Sequence, residues 1–303
     1  MRSPESLTPP DVDRVAASRA GVLARQARAR VKADLSSGRR TPLDVFYMGT
    51  IDKETVEAGL RFREFIMALP SIGVSKTDEI LSSLAISPRK KLGGLGVVQR
   101  GVAAVGLREF SVRRHIVEVP HVVVLAGPTA VGKGTVAARI RMNNPSVHLS
   151  VSATTRDPRP GESDGVSYYF VSDGEFDRMV AAGELLEHAT VHGQAKYGTP
   201  RAPVEAALAE GKSVLLEIDI QGARQVRESM PQARLVFLLP PSWDELVRRL
   251  NGRGTETDEQ KAERLATAVG ELEAQSEFDC RVVNADVSTA AQQVVDLLGI
   301  HKE

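Results

Sequence analysis

Between Gly127 and Lys133 the sequence spells G-x-x-x-x-G-K, followed by Gly134 and Thr135. Glycines at that spacing let the backbone curl until several N–H groups converge on one point, and the lysine adds a full positive charge. A polyphosphate is the ligand that uses all of this. The residue after such a lysine is ordinarily a Ser or Thr whose hydroxyl ligates Mg²⁺; here it is Gly134, and the hydroxyl arrives one place later on Thr135. Farther on, Arg156 and Arg159 stand among Pro158 and Pro160. The prolines forbid a regular helix and set two guanidinium groups on a fixed loop suited to a second phosphate. Glu217 and Asp219 are carboxylates able to accept hydrogen bonds from a base such as guanine, or to order water around Mg²⁺. Arg248, Arg249, Arg253 and Arg264 gather around Gly252 and Gly254, as in a mobile lid that carries charge onto a transferring phosphoryl group.

These groups need a frame. Val122 to Leu125 is a short apolar, β-branched run that reads as a strand buried on both faces of a parallel sheet, and a helical pattern starts at Thr135. Strand, glycine loop, helix is the setting a phosphate-binding loop requires. SVLLEIDIQG reads as another strand, whose carboxyl end places Glu217 and Asp219 in the ligand crevice of an open α/β sheet. Leu235 to Leu239, before Pro240-Pro241, reads as a third. Tyr168, Tyr169 and Phe170 concentrate aromatics that the chain otherwise lacks.

The chain has 303 residues and one cysteine, Cys280, which excludes an internal disulfide and fits a reducing cytosol. MRSPESLTPP is too polar for a signal peptide, and no apolar run reaches the roughly 20 residues of a membrane span, so a cytoplasmic protein is expected. The net charge of zero hides a split. Residues 1–119 hold 20 Lys and Arg against 13 Asp and Glu, leaving the rest equally negative. Opposite-sign halves suggest two modules, with the basic one a candidate for nucleic acid.

In the basic half, Asp11 to Leu35 is alanine-rich and proline-free and predicts a long helix, with Val15, Val22 and Leu23 near one face and Arg25, Arg28, Arg30 and Lys32 crowding its second part. Thr41-Pro42 looks like a cap followed by proline at the first helical position. Arg63 to Leu69 predicts a short helix, Pro70 to Gly73 a tight turn, and Ser75 to Leu84 a second helix. This pair looks like a helix–hairpin–helix, where Gly73 and the following helix start, with Lys76, could approach a DNA phosphate. Arg89-Lys90-Lys91 then stands on a glycine-rich segment. Taken together, the long basic helix, LPSIG and PRKKLGGLG resemble actinobacterial integration host factor, a small nucleoid-associated protein, over about residues 10–110. That resemblance implies DNA binding through Gly73, Lys76, Arg89, Lys90 and Lys91.

In the second half GPTAVGKGT, SVSATTRDPRPGE, GVSYYF, LLEHATVHG, YGT, LLEIDIQGA, LPPSW, RRLNGRGTET and the VVN of Val282–Asn284 occur in order. Over about residues 121–300 they resemble guanylate kinase. The resemblance implies an α/β P-loop nucleoside monophosphate kinase with a parallel sheet core, preceded here by a small all-α helix–hairpin–helix-type domain. The expected division is 1–112, a linker at 113–120, and 121–303. ATP with Mg²⁺ would lie on Gly127, Pro128, Thr129, Ala130, Val131, Gly132, Lys133, Gly134 and Thr135. The GMP phosphate would sit at Ser152, Arg156, Arg159, Tyr168 and Tyr197, and guanine at Glu187 and Thr199 with Glu217 and Asp219 beside it. Lys133, Arg156, Arg249, Arg253 and Arg264 would be catalytic. Mg²⁺ would have no direct protein ligand and at most a water link to Asp219.

Three departures stand out: Gly134, one extra residue in GQAKYGT, and Glu217 in place of the more usual aspartate. Three rivals remain at the level of sequence. One is a catalytically weak scaffold-like relative, another a protein mainly of DNA architecture, and the last a kinase for a phosphorylated sugar.

Overall fold

A computed structural model describes residues 14–116, 120–191, 195–251 and 258–300. Five helices come first: α1 (Arg14–Ser36), α2 (Pro42–Ile51), α3 (Phe62–Met67), α4 (Val74–Ser83) and α5 (Val97–Arg113). The Thr41 hydroxyl accepts from Asp44 N at 3.2 Å and Pro42 fills the first turn of α2, as the Thr-Pro pair predicts. Helices α3 and α4 fall within a residue or two of their expected bounds. Val22 and Leu23 of α1 are exposed, however. The residues that anchor α1 are Val31 and Leu35, which join Phe46, Phe62, Phe65 and Leu92 in one apolar core. Helix α5, with Gly101 and Gly106 inside it, has no counterpart in the sequence reading and reaches Arg113, into the expected linker.

The remaining elements are β1 (Val122–Ala126), α6 (Lys133–Asn143), β2 (His148–Leu149), β3 (Ala153–Thr154), β4 (Tyr169–Phe170), α7 (Asp173–Ala181), β5 (Leu185–Val191), β6 (Ala195–Pro200), α8 (Arg201–Ala209), β7 (Val214–Glu217), α9 (Ile220–Ser229), β8 (Arg234–Leu239), α10 (Trp243–Asn251), α11 (Asp258–Glu273), β9 (Cys280–Val283) and α12 (Val287–Leu297). A parallel sheet runs β2-β7-β1-β8-β9, with β1 central and every residue of it buried. Its apolar residues face helices on both sides, which is why Val122–Leu125 shows no alternation. A second sheet, β4-β3-β6-β5, carries Glu187, Tyr197 and Thr199.

The two halves pack through α2. Met48 belongs to the core formed with Val236, Cys280, Val294 and Leu297, and Ile51 touches both cores. Asp52 receives Arg281 in a bidentate pair, both bonds at 2.9 Å. Buried Asp44 pairs with Arg40 and with Arg234, which also donates to Leu297 O. Burial alone would push the Asp44 carboxyl up. Arg234 and Arg40 outweigh it and hold the group below the ordinary carboxylate range.

Candidate active site

Strand β1 delivers the chain to the phosphate loop. Gly127 has φ +149°, and a Cβ there would stand 2.5 Å from Leu238 O on the neighbouring strand, so only glycine fits the loop's first position. Gly132 precedes α6 with φ +99°, and its Cβ would meet Asn284 Nδ2 at 2.7 Å. Lys133 Nζ donates to Gly127 O at 2.7 Å and to Pro128 O at 3.3 Å. Burial lowers its pKa, while Glu271, Glu217 and Asp219 act to raise it. Above the loop opens a cavity of about 690 Å³ lined by Lys133, Gly134, Thr135, Glu217, Arg249 and Asn284.

Glu217 lines this cavity. A Cβ on Gly134 would lie 3.3 Å from Glu217 Oε1, so the longer carboxylate fills the room left by the missing side chain. Asp219 accepts from Gly222 N at 2.7 Å and thereby caps α9. Its charge acts on both Lys133 and Glu187.

On the second sheet, Arg156 is clamped. Its two terminal nitrogens reach the two oxygens of Glu162, each at 2.9 Å, and Nε donates to Tyr197 Oη at 3.2 Å. The guanidinium lies 5.3 Å from the Tyr168 ring centroid, and Tyr168 and Tyr197 meet edge-on. Tyr197 therefore reaches Arg156 despite the extra residue in GQAKYGT, of which residues 193 and 194 lie outside the described ones. Ser152 is half-buried on the same segment, and Arg159 is exposed with its N–H on Glu162. The result is a preset cationic-aromatic cradle for a phosphate.

Glu187 of β5 is 6% exposed and accepts from Thr199 Oγ1 of β6 at 2.7 Å. Burial is the main cause that pushes its pKa up to about 7. Gly222 packs so tightly below it that a Cβ would stand 2.8 Å from Oε2. A buried carboxylate with one oxygen anchored and little room around it is a specific acceptor for N–H donors.

Arg249 of α10 is held by Glu245 Oε1 at 2.8 Å, Val131 O at 2.9 Å and Asn284 O at 3.2 Å, which ties it to the phosphate loop. Arg253 lies outside the described residues, and of Arg264 only its place in α11 is described. Four contributors were not legible as site residues. Glu162 sets Arg156, and Glu245 sets Arg249. Asn284 ends the VVN motif, lines the cavity above the loop, donates from Nδ2 to Val131 O at 2.9 Å and has a buried Oδ1 without a partner among the described residues. Glu271 of α11 accepts from Thr129 N at 2.8 Å, taking up a loop N–H, and nothing in its sequence context marks it.

Comparison with known proteins gives a consistent result. The family model described as guanylate kinase matches residues 120–300. The guanylate kinase of Leifsonia xyli subsp. xyli is 62% identical over 246 residues, covering 80% of this chain and 95% of that protein. That of Streptomyces coelicolor is 59% identical over 181 residues, covering 60% of this chain and 91% of its own. The Leifsonia alignment is too long for the kinase match alone, so it runs into the helical region. Among solved structures, sIHF bound to an 8-bp palindromic DNA covers 29% of this chain and 98% of that one, with 24% identity and a TM-score of 0.27.

Proposed function

The chain belongs to the guanylate kinase family and is an ATP:GMP phosphotransferase, and we propose the following division of labour among its residues. ATP lies along Gly127–Thr135 with its phosphates on the loop amides and Lys133. The GMP phosphate lies against Arg156, Arg159, Tyr168 and Tyr197, with Ser152 at its edge. Guanine is read by Glu187 and Thr199, whose buried pair is the observation that carries the assignment: ionised Glu187 accepts from N1–H and the 2-amino group. The GMP phosphate is already an anionic nucleophile, so no general base is required. Catalysis is alignment plus neutralisation of charge on the transferring group by Lys133, Arg156 and the arginines Arg249, Arg253 and Arg264. Thr135 and Glu217 offer hard oxygen atoms beside Lys133 that would hold an ATP-borne Mg²⁺ through its waters, and the ion would supply charge neutralisation on the polyphosphate.

Residues 1–112 form, in this reading, a module that binds duplex DNA with little sequence preference, joined at 113–120 to the kinase at 121–303. Support comes from the basic balance of the first half and from exposed Arg89 and Lys91 beside half-buried Lys90. Gly73 adds support, since open space at its α-carbon leaves the start of α4 accessible to a phosphate. Lys76 is salt-bridged to Glu79 at 2.9 Å and would have to exchange that partner. Nucleoid association would follow from such binding. The test is anisotropy of a labelled mixed-sequence duplex with the full chain. Arg89→Ala/Lys90→Ala/Lys91→Ala should weaken binding about equally on all sequences and flatten the salt slope by up to roughly three. An unaltered slope would remove this segment from the contact surface.

A further inference from the structure

Helix α1 carries Arg14, Arg19, Arg25, Arg28, Arg30 and Lys32, with no carboxylate between the first and the last. Most of its surface faces solvent; Val31 and Leu35 are its buried apolar residues, and Val22 and Leu23 stand exposed. It is held to the domain from its C-terminal part. The Arg28 guanidinium lies against Gly59, Lys32 pairs with Glu64 at 3.4 Å, and Ser36 Oγ donates to Ala68 O at 2.9 Å. With no fully buried side chain between residues 16 and 30, that stretch gains little tertiary stabilisation. Repulsion among its like charges adds to that cost.

The stretch that anchors α1 also anchors the Arg89–Lys91 segment. Phe62 N donates to Lys90 O at 2.7 Å, Leu92 N donates to Leu60 O at 2.9 Å, and Arg61 bridges Lys91 across the two strands of backbone. Residues 59–64 are therefore flanked by α1 on one side and by Lys90–Leu92 on the other, with exposed Arg61 between them. The carboxylates of this neighbourhood do not cancel the charge. Asp34 is paired with Arg39, Glu57 with Arg40, Glu64 with Lys32 and Asp78 with Arg63. Among the described residues, Arg25, Arg28, Arg61, Arg89 and Lys91 have no carboxylate within salt-bridge distance.

We propose that these groups form one continuous surface for the phosphate backbone of duplex DNA, in which Arg25 and Arg28 of α1 and Arg61 extend the contact made by Arg89–Lys91. The proposal rests on the DNA-binding reading above and enlarges it. The length of α1 suits a duplex: from Arg14 to Lys32 the helix rises about 27 Å, the length of roughly eight base-pair steps. Two exposed apolar residues, Val22 and Leu23, are too few for the apolar face with which a helix lies in a membrane surface.

The experiment uses the full chain, a labelled 20-bp mixed-sequence duplex and a salt series. Its variants are Arg25→Ala/Arg28→Ala/Arg61→Ala, the same triple with lysine, and the Arg89–Lys91 alanine triple. Alanine is a better helix former than arginine, so α1 survives the change. The first variant should lose affinity on every sequence, with a salt slope lower by about two to three. Lysine at the same positions should restore the slope. If the first variant keeps the wild-type slope while the Arg89–Lys91 variant loses it, the enlarged surface is wrong and DNA binding stands. If the wild type does not shift the duplex at low salt, both fail. Binding to phosphatidylserine vesicles that depends on Arg25, Arg28 and Arg61, with DNA affinity indifferent to them, would also overturn the proposal.

Discussion

Replacing Glu187 by glutamine should make the free enzyme more stable and a much poorer binder of GMP, and the two effects have one cause. The carboxyl is buried, and its pKa is pushed from an ordinary 4.5 up to about 7. Each unit is worth about 1.4 kcal/mol, so ionising Glu187 in the native state costs about 3 kcal/mol relative to the unfolded chain. The sign follows from the raised value: the native state keeps its proton longer than the unfolded state. That stability is present in full below pH 4.5 and is lost as pH rises toward 7. Guanine needs the ionised form, so its N–H donors offset the penalty on binding. KM for GMP should be flat above about pH 8 and rise below pH 7, approaching tenfold per unit. In Glu187→Gln the amide keeps an acceptor for Thr199 but cannot accept from both guanine donors. KM for GMP should rise by about two to three orders of magnitude. At pH 8 the variant should gain up to about 3 kcal/mol of stability, and its pH response should shrink to that of the GMP phosphate, whose second pKa lies near 6. Steady-state kinetics at saturating ATP from pH 5.5 to 8.5, with thermal melts of the apoprotein, read all of this. Parallel pH profiles for the two proteins, or a variant less stable at pH 8, would refute the reasoning.

Lys133→Ala should lower turnover by several orders of magnitude while GMP binding, followed by calorimetry, largely survives, because the proposed division of labour gives Lys133 the donor phosphates alone. Wild-type-like turnover would remove it from the donor site. Asp44→Asn should destabilise the whole chain by about 3 kcal/mol in urea at neutral pH, since it removes a buried carboxylate and leaves half-buried Arg234 without its partner. Because the Asp44 pKa is depressed, that contribution should fade as pH falls through its lowered value, and equal midpoints at neutral pH would contradict the interface.

What could be read without the fold is what depends on neighbours in sequence. The G-x-x-x-x-G-K loop, the Thr41-Pro42 cap and the paired arginines each carry their physics within a few residues. Helix α5 was hidden because its apolar positions are diluted by Gly101 and Gly106 and by exposed Val97, Val98 and Val105. Helix α2 is buried almost all round, so PLDVFYMGTI shows no amphipathic stripe and gives no hint that Met48 enters the kinase core. Glu271 and Asn284 act across 142 and 153 residues of chain, on Thr129 and Val131, a separation no local pattern reports. Glu217 stands at a strand end whose sequence neighbours do not say which groups it meets; the room left at Gly134 is what brings its Oε1 close to the phosphate loop.

The central claim is that the Glu187–Thr199 pair and the Arg156 cradle select GMP for a phosphoryl group held at Lys133. A panel of acceptors, GMP, AMP, CMP, UMP and a phosphorylated sugar, offered with Mg·ATP to the full chain tests it directly. A site built to bond guanine's donors should prefer GMP over AMP by a factor on the order of a thousand or more, with ADP and GDP formed one for one. Comparable rates with AMP, or a faster reaction with the sugar phosphate, would contradict it.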